Sequence, residues 1–117
     1  MNTVGEKIDY TEKIKSCRVF DPRETIAQLR MDFMKFICWG ATKFTVDNAR
    51  KVRMLRFFVS GMKHKGHVYV FLNGSDLYDV YITTNQGTIK EIGTDLYFDM
   101  LTEWIDNRIE KTDAHAW

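Results

Sequence analysis

A chain of 117 residues is the size of one domain, long enough to close a hydrophobic core without disulfides or a structural metal. With 44% hydrophobic residues, 28% charged residues and a single proline, it lies well away from disordered compositions. A formal net charge of +1 argues against a general nucleic-acid binder.

Residues 1–20 alternate charge with isolated apolar side chains (Ile8, Tyr10, Ile14, Val19, Phe20) and keep no sustained period, so they read as an N-terminal arm or short helix. A helix is expected to start at Asp21-Pro22-Arg23-Glu24, where a capping aspartate precedes proline at the first helical position and glutamate follows three residues after the cap. Ile26, Leu29, Phe33, Phe36 and Ile37 then recur at helical spacing, and Gly40 is the expected stop.

From Val52 the apolar period changes to two. Arg53 to Val59 forms the first expected strand, His67 to Leu72 the second, Leu77 to Thr83 the third and Thr88 to Ile92 a short fourth at the edge. Asn73-Gly74 marks the turn between the second and third strands, and Gln86-Gly87 the turn before the fourth. Gly93-Thr94-Asp95 is read as the opening of a last helix, with Thr94 as its cap and Tyr97, Met100, Leu101, Trp104, Ile105 and Ile109 on its apolar face. Residues 111–117 read as a frayed tail. The expected fold is a single α+β domain over residues 1–117: helix, three- to four-stranded antiparallel meander, helix (α-β-β-β-(β)-α), with the N-terminal arm.

The opening residues lack the apolar run of a secretory signal, and no stretch approaches the eighteen or so apolar residues of a membrane span. A cytoplasmic protein without membrane contact is expected. Two cysteines, Cys17 and Cys38, have neither a disulfide framework nor metal-ligand spacing.

Charge divides by sequence half: residues 1–65 hold fourteen Lys and Arg against seven Asp and Glu, while residues 66–117 hold three against nine. The basic part suggests a patch of Arg50, Lys51, Arg53, Lys63 and Lys65. The acidic part suggests a helix stripe of Asp99, Glu103, Asp106 and Glu110, preceded by Asp95, which would either be a solvated face or engage a basic partner.

If the helices cover Leu55, Phe57, Val59, Val68, Val70 and their neighbours, the opposite sheet face collects Met54, Arg56, Phe58, Tyr69, Phe71 and Tyr81. That face is too apolar for water. The arm or a helix could cover it, or it could meet a protein partner or a second copy. Flanking cations also make it a possible stacking platform for single-stranded nucleic acid.

No glycine-rich phosphate loop, GxSxG elbow, HExxH or CxxC is present, and His64 and His67 lie between lysines, where a cation is disfavoured. No metal or cofactor is expected. The functional expectation is therefore a non-enzymatic protein-interaction module (an adaptor, regulator or inhibitor) that binds a protein partner, a second copy of itself, or both. A single-stranded nucleic-acid-binding domain is the first alternative, and a small enzyme without a recognisable motif is the second.

Overall fold

The computed structural model describes residues 2–110, so the expectation for residues 111–117 lies outside the described residues. It shows an α+β fold in which one five-stranded antiparallel meander, in the order β1-β2-β3-β4-β5, separates two layers. The elements are α1 (Tyr10–Lys13), α2 (Pro22–Arg30), α3 (Phe33–Cys38), β1 (Thr42–Val46), β2 (Leu55–Ser60), β3 (Lys65–Leu72), β4 (Tyr78–Thr83), β5 (Ile89–Leu96) and α4 (Leu101–Ile109).

α2 begins as the sequence dictates: Asp21 accepts from the Arg23 amide at 2.9 Å, and Pro22 fills the first turn. It does not run on to Gly40. The Asp32 carboxylate accepts from the Lys35 amide at 3.3 Å, which caps a new helix and ends the old one. An aspartate inside an apolar period can compete for backbone groups in this way. The break keeps Leu29 in the core, but it leaves Phe33 and Ile37 at the surface. Gly40, at φ +60°, then closes α3 as expected, its amide donating to Ile37 O at 2.9 Å.

β1 was not anticipated. It pairs with β2 on one side only, and its register shifts between Thr42 and Thr45, where Lys43 takes a positive φ of 56°. The Asn73 turn forms, although not as a two-residue hairpin. The Asn73 side chain accepts from the Ser75 and Leu77 amides, and Asp76 rather than Gly74 takes the left-handed conformation.

The last helix begins later than Gly93-Thr94-Asp95. β5 continues through Gly93, Thr94 and Asp95, and α4 starts only at Leu101, after a 3-10 turn at Phe98–Met100. Gly93 is fixed by close approach, since a Cβ there would lie 2.5 Å from the Trp104 ring. Tyr97 and Met100, expected on the helix's apolar face, precede it and are exposed.

The helix layer holds the main core: Leu29, Trp39, Leu101, Ile105 and Ile109 close over Leu55, Phe57, Val59, Val68, Val70, Val80 and Ile82. Each such apolar side chain contributes about 1.5–3 kcal/mol on full burial. The opposite face has its own smaller core of Met54, Tyr69, Phe71, Tyr81 and Ile89, covered by Ile8, Tyr10, Ile14 and Cys17 of the arm. The arm is tied along its length: Ile8 N donates to Gly87 O, Arg18 N to Leu72 O and Phe20 N to Val52 O. At its centre Lys13 Nζ meets the buried Asp79 carboxylate at 2.7 Å.

Candidate protein-interaction surface

The arm decides the fate of the sheet face expected to meet a partner. Met54, Tyr69, Phe71 and Tyr81 are buried inside the chain, and only Arg56 and Phe58 remain half-buried. A dimer through Tyr81, or base stacking on Tyr69 and Phe71, would require the arm to leave. What remains near that face is a fringe in which Lys43 Nζ lies 5.4 Å from the Phe58 ring centroid and the Arg56 guanidinium 5.9 Å from that of Tyr69.

The acidic stripe is likewise divided. Asp99 and Glu103 are exposed, but Asp106 is buried, its Oδ1 accepting from Trp39 Nε1 at 3.0 Å. Glu110 lies past the end of α4 and accepts from the Met62 amide at 2.7 Å. Asp95 stands in β5 at φ 55°. The basic residues do not form one patch either. Arg50, Lys51 and Arg53 lie in the β1–β2 connection and Lys63 and Lys65 around the β2–β3 turn, at opposite ends of β2. Lys63 is further engaged, its Nζ donating to Asn107 O at 2.8 Å.

A cleft of about 600 Å³ lies beside that turn and is lined by Lys63, His64, Lys90, Glu91, Asn107 and Arg108. Two of its polar groups are engaged: Arg108 Nε lies at ion-pair distance, 3.1 Å, from a Glu91 carboxylate oxygen, and His64 Nε2 lies 2.8 Å from Thr83 O. No group of three metal-ligating side chains occurs among the described residues. No described helix is long and apolar enough to cross a membrane.

His64 does carry a pH signature. Burial holds its imidazole below the ordinary value of 6.5, against the opposing hydrogen bond to Thr83 O and the charge of Glu91, while Lys90 and His67 lower it further. The folded state therefore favours the neutral ring. Its stabilising contribution is present above about pH 6.5 and is lost as pH falls through the depressed folded value. His67 is lowered in the same direction by burial, Arg56 and Lys43. The urea midpoint should fall between pH 7 and pH 5, and His64→Gln should flatten part of that fall; an unchanged slope would exclude His64 as a source.

The surface with the clearest binding chemistry includes Phe33 and Ile37, which share the helical period of Leu29 in the sequence. Beside the break between α2 and α3, Met31 is 79% exposed, Met34 70%, Phe33 54% and Ile37 53%. They adjoin a groove of about 470 Å³ between α2, α3 and β1, floored by Ile26, Phe36 and Phe44. A ladder of rings joins the floor to the core: Phe36 stacks on Phe44 at 6.2 Å, and Phe44 on Phe57 at 5.1 Å. Arg30 lies at the rim, its guanidinium 5.9 Å from the Phe36 centroid. Because Phe57 is fully buried, the floor is fixed before any partner arrives.

No protein-family model matches the chain, and no curated protein or solved structure matches it significantly. The only sequence signal of the surface was Asp32, a capping residue set inside an otherwise continuous apolar period.

Proposed function

We propose that the chain is a non-enzymatic protein-interaction module of the cytoplasm that binds a polypeptide through the groove between α2, α3 and β1. The observation that carries this reading is the exposure of Met31, Phe33, Met34 and Ile37 within seven residues, with Phe33 and Ile37 lining a groove floored by stacked rings. Phe, Met and Arg are residue types enriched at interface centres, and exposed apolar side chains gathered in one place mark such sites. The free edge of β1 is a poorer acceptor for an added strand. Its shifted register and the outlying Lys43 are devices by which edges resist pairing. Cys17 and Cys38 are free thiols, in keeping with a reducing compartment.

A photo-crosslinking residue placed at Met34 in cells should yield covalent polypeptide adducts. The same residue at Lys90, on the opposite edge strand, should not. Absence of adducts at Met34 above the Lys90 background would overturn the proposal.

A further inference from the structure

We infer that the polypeptide received by this groove is a second copy of the chain, docked about a two-fold axis passing over α2; the inference rests on the interaction-module reading above.

Thr25 and Leu29 of α2 are buried against the sheet layer, so Ala27 lies on the outer crest. Ile26 and Arg30 line the groove flank, and Arg23 lies toward the same side. Glu24 and Gln28 lie on the other flank, where Gln28 O accepts from Thr102 Oγ1 of α4 at 3.2 Å. That second flank leads to the 3-10 turn, where Tyr97, Phe98 and Met100 are exposed beside Asp99 and Glu103.

One helix thus separates two exposed apolar surfaces of opposite sign. On the groove side Arg23 and Lys35 are paired with Asp21 and Asp32, which leaves Arg30 as the cation without an ion pair among the described residues, whereas the other side carries Glu24, Asp99 and Glu103 with no ion pair among the described residues. A two-fold rotation over α2 brings the groove of each copy onto the acidic turn of the other, so both contacts are complementary at once. The small Ala27 at the crest allows the two helices to approach where the axis passes.

Area supports the same occupant. Large side chains of this kind bring about 150–250 Å² each. At their observed exposures the groove side offers on the order of 500 Å² of apolar surface and the acidic side on the order of 300 Å². Neither reaches the roughly 800 Å² per partner of a standard interface, but the two together do.

The test is the solution mass of the full chain by light scattering from micromolar to millimolar concentration. Twice 13.8 kDa is expected for the parent at the upper end. Arg30→Glu with Lys35→Glu, and separately Asp99→Lys with Glu103→Lys, should each remain monomeric while keeping the parent far-UV circular dichroism. Mixed one to one, the two variants should recover the dimer, because the acidic groove of the first meets the basic turn of the second while the unaltered basic groove of the second meets the unaltered acidic turn of the first. Ala27→Glu, which sets a carboxylate against its own copy on the axis, should also dissociate the parent. A parent that stays at 13.8 kDa throughout, or charge-reversed variants that dimerise as well as the parent, would overturn the second-copy assignment. A monomeric parent whose Met34 adducts contain a different protein leaves the interaction-module reading standing; absence of adducts removes both.

Discussion

Replacing Asp79 with alanine should lower the unfolding free energy by about 3–5 kcal/mol, the cost of leaving a buried charge without its partner. Its carboxylate, 6% exposed, accepts from Lys13 Nζ at 2.7 Å, Asn73 Nδ2 at 2.9 Å and the Asp95 amide at 3.0 Å. One side chain therefore fastens the arm, the β3–β4 turn and the end of β5. The Lys13 ammonium, set between Phe71 and Tyr81 at 6.0 and 5.6 Å, would remain under the arm without a counter-charge. Burial lowers its pKa, but the hydrogen bond to Asp79 and that carboxylate's charge outweigh burial and hold it above 10.5. The contribution of the Lys13 charge is thus fully present at neutral pH and is lost as pH rises through the raised value. Adding Lys13→Met to Asp79→Ala should restore much of the loss, because an apolar pair can replace a buried ion pair at little cost. Hydrogen exchange should show the Ile8 and Arg18 amides losing protection in Asp79→Ala first. A loss below about 1 kcal/mol would instead class the pair with solvated surface ion pairs.

That pair also shows where reading the sequence stops. Lys13 and Asp79 are 66 residues apart, and neither stands out locally, so nothing in the chain says that the arm covers the aromatic face. The elements that were legible have strong local causes. Asp21-Pro22 starts α2, and the alternation of Leu55, Phe57 and Val59 forms β2 with one side in the core. β1 was hidden because four of its five residues are exposed, which leaves no buried face to set a period of two. The Gly93-Thr94-Asp95 helix start was outweighed by pairing of β5 with β4, where Gly93 faces Val80 under the Trp104 ring.

The exposed ridge beside the groove was not legible for a related reason. Periodicity reports that Phe33 and Ile37 share a helical face with Leu29, but not whether the helix continues unbroken between them. Asp32 resets the helix, and the apolar period that looked like core becomes an exposed ridge. Asp106 went the opposite way. It kept the spacing of a solvated acidic stripe, yet Trp39 draws it inside, so a charge-reversing change there acts on the fold rather than on a partner.

Trp39→Ala should therefore be as damaging as Asp79→Ala, at about 3–5 kcal/mol, the range for emptying a large aromatic site in a core. Trp39 is fully buried at the end of α3, where its ring lies 5.9 Å from Phe36, its carbonyl accepts from Ser60 N at 2.8 Å and its Nε1 donates to Asp106. It thus joins α3, β2 and α4. Trp39→Phe keeps most of the volume but removes the donor, and leaving that carboxylate unsatisfied should cost about 1–3 kcal/mol. In Trp39→Phe with Asp106→Leu the orphaned acceptor is gone, so the double variant should be more stable than the sum of the single losses; strict additivity in urea unfolding would mean that the 3.0 Å hydrogen bond contributes nothing. Because Trp39 also seats Phe36 under the groove, Trp39→Ala should reduce Met34 crosslinking under conditions where the protein is still folded, whereas Asp79→Ala, acting on the opposite face of the sheet, should leave it unchanged. Equal loss of crosslinking in both variants would show that the groove follows global stability rather than the seating of α3.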